Sequence, residues 1–324
     1  MTRFETALFG DRVLVADGAM GTTLFSLGLE GGGCPELLNV ERPGLVADVH
    51  RRFADAGSDI VLTNTFGGNG RRLALHSASR RVAELNRAAV DIARNATAEY
   101  ETLIAGSVGP TGDLLAPLGP LTHQAAVEVF AEQIEALVEA GVDVVWIETL
   151  SSIEELAAAV EAAARFDVPR VATLSFDTAG RTMMGVTGTQ VATWAAADGR
   201  LDAVGANCGI GPGDAVAAVY DITGTSADLV AVAKPNCGMP LYQTDRLVYP
   251  VGPEAMAEFV DLAVRSGARI IGTCCGSMPE HIVAVRAAVD LHQGGGRPDR
   301  GEIEERLEAR PIAAAPAQKR RRRG

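Results

Sequence analysis

Val13-Leu14-Val15-Ala16-Asp17-Gly18-Ala19-Met20-Gly21-Thr22 decides the fold. A short branched-aliphatic run ends at an aspartate and passes through glycine into a helix-like stretch. In an open doubly wound sheet, the turn after the first strand carries G-x-G-x-x-G, and an acidic residue about 20 positions on ends a second strand. Neither feature is present here. The same strand–turn–helix unit instead recurs along the chain. Strands are expected at 13–17, 59–63, 103–107, 143–148, 170–175, 203–207, 229–233 and 269–273. Helices are expected at 43–56, 71–97, 122–140, 151–166, 188–197, 212–223, 253–266 and 279–292. Eight such units are the arithmetic of an α/β protein of the (β/α)8 TIM-barrel class.

The unit boundaries carry their own chemistry. Thr122 and Ser152 stand where N-caps belong, and Pro253 and Pro279 suit first-turn positions. Ala56-Gly57, Ala140-Gly141 and Ser266-Gly267 each close a helix on a glycine C-cap just before a strand. Two connections are long for a barrel, Thr23 to Val40 and Pro235 to Pro250, and such loops commonly build substrate walls.

Of the 324 residues, 47% are hydrophobic and 5% aromatic, which favours close-packed helices and buried parallel strands over a sandwich. The net charge is −12, and five of the 29 basic residues sit in Lys319–Arg323. Residues 1–318 therefore hold 24 basic against 41 acidic residues, which argues against nucleic acid as a partner. No signal peptide and no membrane span is read, and an odd count of five cysteines does not make a disulfide framework, so a reducing cytoplasm is expected. Residues 1–293 are assigned to the barrel. Residues 294–324 are assigned to a polar tail with a basic end, disordered beyond about 309.

Adjacent thiols at Cys274-Cys275 follow the eighth strand, and Cys208 follows the sixth. Barrel active sites gather at the C-terminal ends of strands, so closure brings these sulfurs together. Metal binding, redox chemistry and buried packing all use such thiols. A vicinal disulfide is disfavoured by the short Cα spacing. Three thiolates with one exchangeable position describe a catalytic zinc, which lowers the pKa of an entering thiol and suits it to alkyl transfer. Asp17 and Glu148 close the first and fourth strands at the same mouth. Cys34 and Cys237 are expected to pack as small hydrophobes. The five histidines are expected in or beside helices, away from the mouth. Lys234, expected just past the seventh strand, has no paired base for Schiff-base chemistry.

Six segments resemble the homocysteine S-methyltransferase family, which includes betaine-homocysteine methyltransferases and the homocysteine-binding module of cobalamin-dependent methionine synthase. They are Asp17-Gly18-Ala19-Met20-Gly21-Thr22, Thr63-Asn64-Thr65-Phe66, Gly106-Ser107-Val108-Gly109-Pro110, Glu148-Thr149, Asn207-Cys208 and Gly272-Thr273-Cys274-Cys275-Gly276. The resemblance extends over roughly residues 12–292. The resemblance implies a (β/α)8 barrel holding Zn2+ through Cys208, Cys274 and Cys275, with homocysteine bound by its sulfur to that zinc. It places the homocysteine ammonium near Asp17 and Glu148 and the carboxylate at the N–H groups of Gly18 and Ala19. Thr65 and Asn207 would shape the pocket. The implied activity is methyl transfer to homocysteine, giving methionine, from a small donor such as betaine. S-methylmethionine, S-adenosylmethionine or a separate methyl-corrinoid protein would use the same acceptor, and a homo-oligomer is compatible with all of these. The first loop lacks the tryptophan of the mammalian-type betaine enzyme, so aromatic faces for a quaternary ammonium would come from Tyr242, Tyr249 or Phe25. The alternative from another class is a non-enzymatic zinc-stabilised binding module, its metal closed by Cys237.

Overall fold

The computed structural model of the chain describes residues 1–243 and 246–308. Its eight barrel strands are Leu14–Val15, Ile60–Leu62, Leu103–Val108, Val144–Leu150, Arg170–Leu174, Ala203–Cys208, Ala231–Pro235 and Ala268–Ile271. Parallel pairing runs in order from the second strand to the eighth. The eighth returns to the first through Leu14↔Ile270 and Val15↔Ile271. The ring closes at the bridge Ala16↔Ile60, where Asp17 N–H donates to Ile60 O at 2.9 Å and Asp59 N–H to Val15 O at 2.7 Å. This is a (β/α)8 barrel.

Strands buried on both faces read as continuous aliphatic runs, which is why the runs and the turns bounding them located the strands. Inside the ring, Leu14, Ala16, Ile60, Leu62, Val144 and Trp146 form one cluster with their counterparts on the other strands. Phe4 and Leu8, from the helix Arg3–Leu8, stopper its lower end. The intervening residues face the helices in two larger clusters. Continuing the inward period of two by one step brings Ser107, Glu148, Asn207 and Lys234 to the top interior layer. The alternation that builds the core thus also delivers the polar groups of the mouth.

The expected C-cap glycines Gly57, Gly141 and Gly267 take φ values of +98°, +89° and +102°. Thr122 and Ser152 cap as expected, their side chains accepting from Ala125 and Glu155 N–H. Two expectations need correction. The helix expected over 71–97 is two helices, Gly70–Ala74 and Val82–Ala96, with Ser77 left-handed at φ 57° between them. The break lets Leu73, Val82 and Leu85 pack around Cys34 in a separate small cluster that anchors the first loop. The seventh strand runs to Pro235, because Lys234 and Pro235 still pair with Asn207 and Cys208.

After residue 293 the chain carries a further helix, Arg300–Leu307, with Ile303 fully buried and ion pairs Arg300–Asp221 at 2.5 Å and Arg265–Glu302 at 2.7 Å. The basic run Lys319–Arg323 lies outside the described residues. No helix among the described residues is long and apolar enough to cross a membrane.

Candidate active site

Cys208 ends the sixth strand, and Cys274-Cys275 follow the eighth. Barrel closure brings Cys208 Sγ to 3.0 Å from Cys274 Sγ, and all three sulfurs lie within 4.8 Å of one another. Cys208 sits in the left-handed region at φ 54°, followed by Gly209 at φ 69°. A side chain there costs about 1 kcal/mol or more, so a non-glycine residue needs a reason, and the converging sulfur supplies it. The segment Pro235-Asn236-Cys237 stitches the two cysteine segments together. Cys274 N–H donates to Pro235 O at 2.6 Å, Cys275 N–H to Asn236 Oδ1 at 2.9 Å, and Asn236 Nδ2 to Gly209 O at 2.8 Å. Cys237 itself is buried, and its sulfur lies outside the group of three. Burial, with the charge of Cys274 adding, pushes the Cys237 thiol up to about 12.

Hydrogen bonds from Cys208 and Cys275 hold the Cys274 thiol well below its ordinary range despite burial, and Lys234 assists. The same hydrogen bonds, with burial, raise Cys208. One thiolate-like sulfur flanked by two more is a soft, anionic donor set. It fits a zinc ion and leaves room for one exchangeable ligand.

The charged groups beside it are all buried. Asp17 Oδ2 accepts from Leu62 N–H at 2.9 Å, and Oδ1 lies 3.3 Å from Lys234 Nζ, which donates to Thr273 O at 2.7 Å. Burial pushes Asp17 up to about 6, against the pull of Lys234. Glu148 accepts from Ser107 Oγ at 2.5 Å, and its second oxygen lies 3.4 Å from Asn207 Nδ2. Burial, then the charge at Cys274, pushes Glu148 up to about 7. Burial opposes the charge on Lys234, but Asp17, Cys274 and Glu148 outweigh it and hold the ammonium above its ordinary range. An amine kept protonated is no Schiff-base nucleophile.

These groups open on a cavity of about 360 Å³ whose lining includes Asp17, Gly18, Ala19, Thr65, Glu148 and the three cysteines. Asn207 does not line it. Its amide instead accepts from Thr149 N–H at 2.9 Å and donates to Thr149 Oγ1 at 2.7 Å, fixing the left-handed Thr149 and the adjacent Glu148. Ala19 N–H is already taken by Ser277 Oγ at 3.0 Å. Of the Gly18–Ala19 pair, only the Gly18 N–H is left for a ligand, beside the side-chain-uncapped start of the helix Met20–Ser26. A Cβ at Gly18 would fall 2.5 Å from Phe53 and from Ser277 Oγ, so the backbone passes where no other residue fits. Thr65 Oγ1 donates to Ser107 O at 2.7 Å.

A family model described as homocysteine S-methyltransferase matches residues 14–289. The chain belongs to the homocysteine S-methyltransferase family. It is 32% identical to the methionine synthase of Mycobacterium leprae, over 90% of this chain and 25% of that protein. It is 31% identical to that of Mycobacterium tuberculosis, over 87% and 25%. The chain thus spans about a quarter of the length of both methionine synthases. The metallated form of the homocysteine methyltransferase MmuM from Escherichia coli superposes with a TM-score of 0.74 at 25% identity, covering 88% of this chain and 99% of that one.

In this homocysteine S-methyltransferase family member, several cavity residues escaped the sequence. The sequence marked Lys234, the only lysine before the tail, but not its pairing with Asp17, which needs the closed ring. Ser107 was quoted only as part of a motif. The cavity is also lined by Glu36, Phe66, Arg72 and His76, the last against the expectation that histidines avoid the mouth. Of the aromatics expected to face a donor, Phe25 lines the cavity, whereas Tyr242 and Tyr249 do not. Tyr249 instead lies on Gly276, where an added Cβ would sit 2.0 Å from the ring.

Proposed function

We propose that this protein transfers a methyl group from a small onium donor, betaine being the simplest, to the thiol of homocysteine, giving methionine. What carries this is the opening of Cys208, Cys274 and Cys275 on the same cavity as Asp17 and Glu148. The three cysteines would hold a zinc ion, which when bound lowers the pKa of an entering thiol so that it is a nucleophile at neutral pH. Glu148 and Asp17 receive the substrate ammonium, and Lys234 tempers the charge of the acids before the substrate arrives. Gly18 N–H faces the carboxylate. The walls hold the two substrates so that the sulfur–methyl bond forms as the methyl–onium bond breaks, the electron pair staying with the donor.

A methyl-corrinoid donor is the second reading, favoured by the 32% and 31% identity to two methionine synthases. The test is zinc-loaded protein in reducing buffer with homocysteine and, in turn, betaine, S-methylmethionine, S-adenosylmethionine and methylcobalamin. Methionine is expected from a small onium donor, with the rate falling at least about 100-fold after chelation. No methionine from any donor would contradict the proposal.

A further inference from the structure

We propose that Arg72 and Glu36 recognise the two ends of a zwitterionic methyl donor, Arg72 its carboxylate and Glu36 its cationic centre. This rests on the methyl-transfer function above and adds the residues that select the donor. Asp17, Glu148 and the three cysteines make their part of the cavity anionic, so a second carboxylate is repelled from them. Lys234, the one lysine lining the cavity, is already engaged by Asp17 and Thr273 O. Arg72 lines the same cavity, and among the described residues its side chain makes no ion pair or hydrogen bond. Its neighbour Arg71, by contrast, is paired with Asp113. The Arg72 side chain runs over Gly112, where an added Cβ would lie 3.1 Å from Cδ and 3.3 Å from Nη1. A planar guanidinium with free donors in a cavity wall is suited to bidentate recognition of a carboxylate.

Glu36 supplies the opposite sign. It is only 4% exposed yet lines the same cavity. Its oxygens accept from Gly67 N–H at 2.6 Å and Cys34 S–H at 3.2 Å, both neutral donors. No basic group among the described residues lies within ion-pair distance, and Arg72 does not pair with it although both face one cavity. A buried carboxyl without a counter-ion, in a cavity that Phe66 also lines, is a place for a cation. The two loops form one wall, because Asn64 Nδ2 donates to Pro35 O at 2.7 Å and to Asn39 Oδ1 at 2.9 Å.

The test compares betaine with its methyl ester, and S-methylmethionine with its methyl ester, on zinc-loaded wild type and Arg72→Met. The carboxylate donor is expected to lose about 10- to 100-fold in kcat/KM in the variant, the loss of one charge-assisted contact. The ester should change by less than about 3-fold, and the KM for homocysteine should hold, which also shows that the variant is folded. Arg72→Lys should recover part of the loss. Glu36→Gln should weaken onium donors without weakening inhibition by 3,3-dimethylbutyrate, which keeps the carboxylate and replaces the cationic centre with a neutral tert-butyl group. An equal carboxylate-to-ester preference in wild type and Arg72→Met would overturn the assignment. Methionine formed by wild type only from methylcobalamin would also overturn it, yet leave the homocysteine half of the function standing. No methionine from any donor would remove that half too.

Discussion

Replacing Cys208 by glycine is expected to abolish metal retention and methyl transfer while leaving the fold intact. A structural zinc bound by four ligands is worth about 10–16 kcal/mol, or roughly 3 kcal/mol per ligand. Loss of one thiolate therefore weakens metal affinity on the order of 10²- to 10³-fold, and turnover falls with it. Glycine is informative here because Cys208 sits at φ 54°. Relief of the left-handed strain offsets the entropy glycine adds to the unfolded chain, so metal-free stability should stay within about 1 kcal/mol of wild type. Metal analysis, turnover and denaturant unfolding of the metal-free protein separate the two effects. Cys237→Ala, outside the sulfur group, should keep its metal. Full metal content in Cys208→Gly, or metal loss in Cys237→Ala alone, would mean that a different set of sulfurs holds the ion.

Glu148→Gln is expected to make the metal-free protein more stable at pH 8 and to weaken homocysteine about 10- to 100-fold. Burial raises this carboxyl from its ordinary 4.5 to about 7. Because the folded-state value lies above the unfolded one, its contribution to stability is fully present below about 4.5. It is lost as pH rises through about 7. Asp17, raised to about 6, acts in the same direction. At pH 8 the buried charge opposes folding by on the order of 1–3 kcal/mol, and glutamine removes that cost while still accepting from Ser107. The substrate ammonium needs the charge, so wild-type affinity should fall below about pH 7 more steeply than that of the variant. The difference between the two profiles isolates Glu148 from the proton released by the thiol. A variant no more stable at pH 8, with unchanged homocysteine affinity, would place the ammonium elsewhere.

The barrel was legible because its strands are aliphatic on both faces and its helices end on glycines that only a left-handed cap requires. Cys208 and Cys274-Cys275 were legible because each follows a strand whose end is forced to the mouth. Lys234 was placed one step too late, since lysine and proline are poor strand formers and only cross-strand pairing with Asn207 and Cys208 keeps them in the ladder. Asn207, expected to help shape the pocket, does not line the cavity itself but holds Thr149 and Glu148, which do. Its side chain follows the inward period but is spent on Thr149 and Glu148, a local hydrogen-bond choice that spacing does not encode. Glu36, Arg72 and His76 were out of reach for another reason. They line one cavity where the second loop packs against the first around Cys34 and the chain breaks at Ser77, and no periodic pattern exists there to read.

X-ray absorption at the zinc edge, recorded on zinc-loaded protein with and without homocysteine, tests the shared metal most directly. Three sulfur neighbours and one lighter atom are expected in the free protein, and four sulfurs once homocysteine is added. A first shell that holds four sulfurs from the start, or one that homocysteine leaves unchanged, would contradict the account.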